Sequence, residues 1–231
     1  EPITKEMVKK IVLKEKVDSV LSTLGGQTAL NMCLSLDEEG FFKEHNVKLL
    51  GSNAHTIEIT EDRELFALEL DKLGYHTGTR FQVESVEEMV QVAEKKLGYP
   101  LIIRQNFALG GKGAAHVHST DELLKAISDS LKFPITLEKS IYGYKEVELE
   151  VMVDQDQNGV VICSIENVDT CGVHTGDSIT VAPAMTISDR CYQNLRTMSL
   201  TIAKHVGVVA GGANVQFAIN PDDEDDIIVI E

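Results

Sequence analysis

Two glycine-rich stretches separated by an acidic strand carry the chemistry that this sequence offers. The first, residues 109–113, reads LGGKG, and the second, residues 172–178, reads GVHTGDS. Between them, residues 145–150 read KEVELE. Backbone N–H groups in glycine loops can close over phosphate oxygens, and carboxylates can hold a metal ion beside them. In this order the three segments indicate a site that binds the phosphates of ATP and transfers one to a small acid.

The stretch 109–113 fits neither of the two common nucleotide-binding glycine motifs. Lys112 is not followed by Ser or Thr, which excludes a Walker A loop. His116 stands where a dinucleotide-binding fingerprint needs its third glycine, and a strand rather than a helix is predicted next. A loop that joins strand to strand is instead a flap, with Gly110 and Gly111 at its centre. Taken alone, an ordinary glycine-rich hairpin turn explains it better.

Charged residues flank this flap. Arg104 ends the apolar strand directly before it, and a guanidinium can bind two phosphate oxygens at once. Glu146, Glu148 and Glu150 share one face of a strand, where neighbouring carboxylates repel unless a metal ion or Lys145 lies near. The alternatives are a surface ion pair for Arg104 and a solvated strand face for at least one of the three glutamates.

The second loop is dense in small polar groups. His174 can donate a hydrogen bond to a developing oxyanion, and the neighbouring hydroxyl and carboxyl side chains can orient water. For His174 in isolation, a structural histidine in a polar connecting loop is the better interpretation.

Gln216 and Glu231 offer a pair of hard oxygen ligands. They lie on the last two predicted strands, 214–219 and 227–231, which an acidic turn at 220–226 joins. Because the ends of such a hairpin lie close together, both side chains can face one Mg²⁺. The acidic run 222–226 itself is best explained as a solvated turn.

Composition limits the function further. The formal net charge of −16 argues against broad nucleic-acid binding, because the chain repels a phosphate backbone. Bound polyphosphate must therefore contact a few local cations, for which the candidates are Arg63, Arg104, Lys112, Lys139 and Lys145. No stretch of 18 apolar residues is present, so no membrane span is expected. The four cysteines lack zinc or redox spacing, which favours a reducing, intracellular compartment.

The order of predicted elements divides the chain near residue 57. Residues 1–57 read as helix, strand, glycine turn, helix and strand, which is typical of a parallel α/β sheet. From 58 onward helices such as 61–73 and 86–97 alternate with strands, and the sequence Asn158–Gly159 predicts a hairpin. The expected fold class is therefore α/β followed by α+β.

Six segments resemble the large subunit of carbamoyl-phosphate synthetase, a family that carries ATP-grasp domains. They are residues 24–31, 60–63, 103–104 with 109–111, 143–146, 172–178 and 214–218. The resemblance implies an ATP-grasp domain at 58–231, preceded at 1–57 by part of a Rossmann-like pre-ATP-grasp α/β domain. The sequences GGQTALN and GVHTGDSITVAP resemble the half of that enzyme that forms carboxyphosphate from bicarbonate and ATP.

The same resemblance implies roles for individual residues. Arg63 and Arg104 hold phosphates, Gly110 and Gly111 form the flap, and Lys139 and Ile141 lie by the adenine. Glu146 lies by the ribose or the reacting groups. Gly172, Val173 and His174 line the nucleotide, with His174 near the transferred phosphoryl group. Gln216 and Glu231 coordinate Mg²⁺ or Mn²⁺.

The resemblance also implies a setting for the chain. It predicts a piece of a larger, oligomeric, cytoplasmic or mitochondrial enzyme of arginine, urea or pyrimidine synthesis, which works with a glutamine amidotransferase subunit or domain. Two departures matter: Ala114 and Ala115 follow Gly113 where the family has more glycines, and the family continues beyond Glu231 with a further metal ligand and arginines. We therefore expect no turnover by this segment alone. The alternatives are a regulatory nucleotide-binding module and a ligase related to biotin carboxylase.

Overall fold

The computed structural model describes residues 1–105, 114–129, 133–173, 177–209 and 211–231. The helices are α1 (Lys5–Glu15), α2 (Gly26–Glu38), α3 (Phe41–Glu44), α4 (Ala54–Glu61), α5 (Arg63–Leu73), α6 (Val86–Val92), α7 (Thr120–Asp129) and α8 (Asp189–His205). The strands are β1 (Ser19–Leu21), β2 (Lys48–Leu50), β3 (Arg80–Val83), β4 (Leu101–Gln105), β5 (Ala114–Val117), β6 (Ile135–Lys139), β7 (Lys145–Val153), β8 (Gly159–Asn167), β9 (Thr180–Val181), β10 (Gly211–Asn220) and β11 (Asp223–Val229).

The first unit is a small α/β layer. β1 and β2 pair in parallel, and the Thr4 side chain caps α1 by accepting from the Met7 N–H. A 3-10 turn at Ser22–Gly25 leads into α2. The helices bury their apolar sides in a core of Val12, Cys33, Leu36, Phe41, Phe42 and Val47.

The second unit is a four-stranded antiparallel sheet in the order β3-β6-β4-β5. α6 and α7 cover one face, over a core that includes Met89, Leu101, Leu123 and Leu137. The helix predicted at 86–97 ends in a wider π-helical turn, Ala93–Leu97. β4 and β5 pair antiparallel on either side of the glycine loop, so the predicted strand-to-strand placement of this loop is confirmed. The loop, 106–113, lies outside the described residues.

The third unit is a five-stranded antiparallel sheet in the order β11-β10-β7-β8-β9. The hairpin predicted at Asn158–Gly159 joins β7 to β8. α8 lies on one face, over apolar residues of β7 and β10 that alternate along the strands, such as Val147, Leu149 and Phe217. The opposite face is left for the glutamates of β7. Among the described residues, no helix is long and apolar enough to cross a bilayer.

Two predictions about local structure were wrong. The helix predicted at 61–73 begins only at Arg63, because the Asp62 side chain caps α5 by accepting from the N–H groups of Glu64 and Leu65. The solvated turn predicted at 220–226 is short, since β11 already begins at Asp223.

Neighbouring groups explain why an acidic strand can form there. Glu224 accepts from the Ser188 N–H, Asp225 pairs with Arg190 at 2.9 Å, and Asp226 accepts from the Tyr144 hydroxyl at 2.8 Å. Each carboxylate therefore has a partner that a solvated turn would not supply.

Backbone contacts join the first unit to the large sheet. The Val209 N–H donates to the Gly51 carbonyl at 3.2 Å, and the Thr56 hydroxyl donates to the Gly207 carbonyl at 3.0 Å. A Cβ on Gly211 would lie 2.8 Å from Gly51 Cα. Only glycine permits so close an approach of the two backbone segments.

Candidate functional site

A cleft between the four-stranded sheet and β11 brings together four of the predicted site residues: Arg63, Arg104, Lys139 and Ile141. Arg80 also lines it and donates to the Arg63 carbonyl at 3.2 Å. Three arginines therefore line one cleft in a chain whose formal net charge is −16. Such a concentration of cations favours a polyanionic ligand.

Strand alternation places a carboxylate in this cleft that the sequence interpretation missed. Arg104 and Glu138 lie on the same face of β4 and β6, and the Arg104 Nε donates to Glu138 Oε2 at 2.7 Å. The Lys139 side chain leaves on the other face, with its Nζ 3.8 Å from where a Cβ on Gly98 would lie. Period-two alternation along β6 was the signal that could have identified Glu138.

The glutamates of β7 form a largely buried polar face. Glu146 and Glu148 are 7% and 6% exposed, so a solvated strand face is wrong for these two. Glu148 accepts from the Asn214 Nδ2 at 3.1 Å and from the Gln216 Nε2 at 3.4 Å, and Glu150 accepts from Asn214 at 2.8 Å. Amide donors from β10 thus replace the water that these carboxylates lose on burial.

Lys145 does not neutralise this face. Its Nζ donates to the Thr186 carbonyl at 2.9 Å, on the side of the sheet that carries α8. Glu146 instead lies near the buried Cys171, and burial, with a smaller contribution from the Glu146 carboxylate, raises the pKa of that thiol to about 12. Cys171 is therefore not a nucleophile at neutral pH.

Gln216 and Glu231 are neighbours, as expected. The Gln216 N–H donates to the Glu231 carbonyl and the Ile230 N–H donates to the Gln216 carbonyl, both at 2.8 Å. Glu231 also lines a cavity with Asn214 and Thr60, between the large sheet and the first unit.

The donor set fits Mg²⁺ held largely by a substrate. Nε2 of Gln216 donates to Glu148, so Oε1 of Gln216 and the Glu231 carboxylate are the oxygens that would hold a cation here. Mg²⁺ commonly takes one or two protein oxygens and completes its shell with phosphates and water. No group of three or more His, Cys, Asp or Glu that could hold a metal by itself occurs in the described part of the chain.

Gly172 and Val173 begin the second glycine-rich loop, a few residues after the end of β8. Gly172 has a φ of +114°, and a Cβ there would lie 2.7 Å from the Tyr142 ring, so both backbone and packing require glycine. Val173 is 38% exposed. The predicted site residues Gly110, Gly111 and His174 lie outside the described residues.

Two further residues of β8 were not identified from the sequence. Glu166, buried, accepts from the N–H groups of Met185 and Thr186 at 2.7 and 2.9 Å and from the Thr186 hydroxyl. It thereby fixes the segment that follows the second loop. Asn167 is also buried, and neither polar atom of its side-chain amide has a hydrogen-bond partner among the residues that the structure describes. Neither residue belongs to a motif, so only the fold could reveal them.

Comparison with known families gives two matches that together cover nearly the whole chain. Residues 62–231 match the family described as "Carbamoyl-phosphate synthase L chain, ATP binding domain", and residues 1–59 match the "Carbamoyl phosphate synthase preATP-grasp domain".

Curated relatives agree. The carbamoyl phosphate synthase large chain of Arthrobacter sp. (strain FB24) is 47% identical over 235 residues, covering 100% of this chain and 21% of that protein. The corresponding protein of Deinococcus radiodurans is 49% identical over 235 residues, covering 100% of this chain and 23% of that protein. The chain thus spans about a fifth of the length of these relatives.

Solved structures confirm the ATP-grasp fold. Biotin carboxylase from Campylobacter jejuni, in a complex described as containing β-γ-ATP, superimposes with a TM-score of 0.77 at 16% identity, over 99% of this chain and 51% of that one. The biotin carboxylase domain of the Hydrogenobacter thermophilus 2-oxoglutarate carboxylase superimposes with a TM-score of 0.73 at 17% identity, over 98% of this chain and 50% of that one. Given the family matches along its length and relatives near half identity, the chain belongs to the carbamoyl phosphate synthase large-chain family.

Proposed function

We propose that this chain binds ATP and phosphorylates bicarbonate to carboxyphosphate. That reaction is the first step of carbamoyl phosphate synthesis from bicarbonate, ammonia or glutamine, and two ATP. The observation that carries the proposal is the cleft that Arg63, Arg80 and Arg104 line together with Ile230, whose N–H donates to the Gln216 carbonyl. The cleft offers cations for phosphates, and Gln216 and Glu231, paired through their backbones, would supply oxygens for a metal ion.

In this proposal the residues act mainly by placing charge and excluding water. Arg63 and Arg104 bind phosphate oxygens, which lowers the repulsion between ATP and an anionic acceptor. Ile141 and the backbone at Lys139 border the adenine, and Glu146, buried on the sheet face, contacts the ribose or the reacting groups. Mg²⁺ or Mn²⁺, held by Gln216 and Glu231, neutralises phosphate charge when bound.

The chemical step is an in-line displacement. A bicarbonate oxygen forms a bond to the γ-phosphorus as the bond from that phosphorus to the β–γ bridging oxygen breaks, and ADP leaves with the electron pair. The proposal gives His174 a position beside the transferred phosphoryl group and gives Gly110 and Gly111 the closing flap. Gly172 and Val173 border the nucleotide from the other side.

The relatives favour this activity over a biotin-carboxylase type of ligase. Identity to the carbamoyl phosphate synthase large chains is 47–49%, whereas the structurally similar biotin carboxylases are 16–18% identical. A purely regulatory module is disfavoured because Glu146, Gln216 and Glu231, which such a module does not need, are all present.

The wider setting is part of the same proposal. We place the boundary between the pre-ATP-grasp and ATP-grasp domains at residues 57 and 58, and we assign the chain to a cytoplasmic enzyme that works with a glutamine amidotransferase. Because the relatives are about five times longer, the activity is expected of the full-length protein and not of this segment alone.

Bicarbonate-dependent ATP hydrolysis by the full-length protein tests the proposal. We expect the ADP-forming rate to rise with bicarbonate in the absence of ammonia, because carboxyphosphate decomposes in water. The rate of the Arg104→Ala variant is subtracted, because it measures ATP hydrolysis at any second site. An ATPase rate indifferent to bicarbonate would refute the assignment.

The metal assignment is tested separately. Glu231→Ala should shift the Mg²⁺ concentration needed for half-maximal rate upward by about tenfold, since one of two protein ligands is lost. Asp222→Ala, an exposed carboxylate at the β10–β11 turn, is the matched control. An unaltered Mg²⁺ dependence of Glu231→Ala would remove this residue from the metal site.

A further inference from the structure

Glu138 is a charged residue of the cleft to which the proposed mechanism gives no role. It is the one acid among the described residues that line this cleft, and its side chain is 22% exposed. A carboxylate repels phosphates, so its position in a cleft that binds ATP needs a physical explanation.

The contact between Glu138 and Arg104 supplies one. Ile102 is opposite Glu138 and Arg104 is opposite Thr136, so the two charged side chains lie diagonally on one face. Arg104 donates through Nε to Oε2 at 2.7 Å, and its terminal Nη groups make no hydrogen bond to any residue within the described ranges. Glu138 therefore holds the guanidinium at Nε, and the described residues leave its terminal nitrogens to other partners.

We propose that Glu138 is a positioning residue that orients Arg104 for the phosphates of ATP. This inference rests on the proposed function, because it takes Arg104 as a phosphate ligand. A free arginine side chain samples many rotamers, and ordering it on binding lowers affinity. With Nε held by Glu138, the guanidinium of Arg104 is restricted in orientation before the nucleotide arrives. The pair is neutral as a unit, so Arg104 contributes directed hydrogen bonds, while Arg63 and Arg80 supply net charge.

The test uses nucleotides with different numbers of phosphates. Dissociation constants for AMP, ADP and ATP are measured on the full-length protein with Glu138→Ala, Glu138→Gln and Arg104→Ala. Glu87→Ala is the matched control, because Glu87 is an exposed carboxylate on α6 of the same unit and makes the same change in charge.

We expect Glu138→Ala to weaken ATP binding about tenfold, which corresponds to about 1.4 kcal/mol. Binding of AMP should change less than twofold, because AMP does not reach Arg104. Glu138→Gln keeps an oxygen that can accept from Nε and should restore ATP affinity to within about threefold. Glu87→Ala should bind all three nucleotides normally. The double variant Arg104→Ala/Glu138→Ala should bind ATP no more weakly than Arg104→Ala, since Glu138 acts through Arg104.

Several results would overturn the inference. ATP binding by Glu138→Ala that is unchanged or tighter would mean that the carboxylate only repels phosphate. Equal weakening of AMP and ATP would mean that Glu138 supports the fold of the cleft rather than Arg104. Weakening that adds to that of Arg104→Ala would show an independent action. If Arg104→Ala itself leaves ATP affinity intact, the phosphate role of Arg104, and with it the proposed function, is what fails.

Discussion

The contact between Gly51 and Gly211 determines how the first unit is joined to the large sheet, and Gly211→Ala tests it. A Cβ at Gly211 would lie 2.8 Å from the Gly51 Cα and 3.3 Å from the Gly51 carbonyl carbon. Both are backbone atoms, so no side-chain rotation relieves the overlap. The adjacent Val209 N–H, which donates to the Gly51 carbonyl at 3.2 Å, must move with it.

The magnitude follows from two opposing effects. Overpacking a tight contact costs about 1–3 kcal/mol, and a backbone-to-backbone overlap belongs near the upper end of that range. Replacing glycine by alanine restricts the unfolded chain and thereby stabilises the folded state by about 0.4–1 kcal/mol. The net destabilisation of this joint is about 2 kcal/mol, which corresponds to roughly a 30-fold increase in its opening equilibrium.

Hydrogen–deuterium exchange on the full-length protein measures that opening. In Gly211→Ala the amide of Val209 should exchange roughly 30-fold faster, because its protection depends on the contact with Gly51. Gly212→Ala is the matched control: its Cβ would meet the Val151 carbonyl oxygen at 3.4 Å, which is ordinary contact. Equal exchange in both variants, or no change in either, would refute the close approach.

Two further predictions concern the loops of the site. Burial raises the pKa of Glu166, but hydrogen bonds from the Thr186 hydroxyl and from the Met185 and Thr186 N–H groups outweigh it, so the pKa lies below its ordinary value. A depressed pKa gives stability above the unfolded value of about 4.3, so Glu166→Gln should lower the melting temperature at pH 7, and the difference should narrow below about pH 4. A constant difference across that range would contradict this. Gly172→Ala should raise KM for ATP several-fold, because of its φ of +114° and the Tyr142 ring 2.7 Å from the new Cβ. Gly143→Ala, which has a φ of +91° and nothing within 4 Å, controls for backbone strain, and equal effects in both variants would exclude the ring contact.

Sequence patterns predicted the large elements well because those patterns are local. The alternating glutamates at 146, 148 and 150 predicted β7, and Asn158–Gly159 predicted the hairpin to β8. The acidic first part of β11, residues 223–226, was not predicted as strand, because its stability depends on partners that are distant in sequence. Arg190 is 35 residues from Asp225, and Tyr144 is 82 residues from Asp226.

The candidate site shows the same limit. Arg104 and Gln216 could be selected from their residue types and neighbours. The burial of Glu148, by contrast, depends on amides that β10 brings from 66 and 68 residues away. Likewise, Lys139 was selected from the sequence because it is charged. The side chain on the cleft face of β6 is instead that of Glu138, and only the strand pairing shows which face of β6 borders the cleft.

Oxygen transfer from bicarbonate to phosphate tests the central claim most directly. If a bicarbonate oxygen attacks the γ-phosphorus, that oxygen stays on phosphorus when carboxyphosphate later breaks at its C–O bond. With ¹⁸O-labelled bicarbonate and unlabelled water, we predict one ¹⁸O atom in each phosphate that the full-length protein releases at this site. Phosphate that takes its new oxygen only from water would contradict bicarbonate phosphorylation.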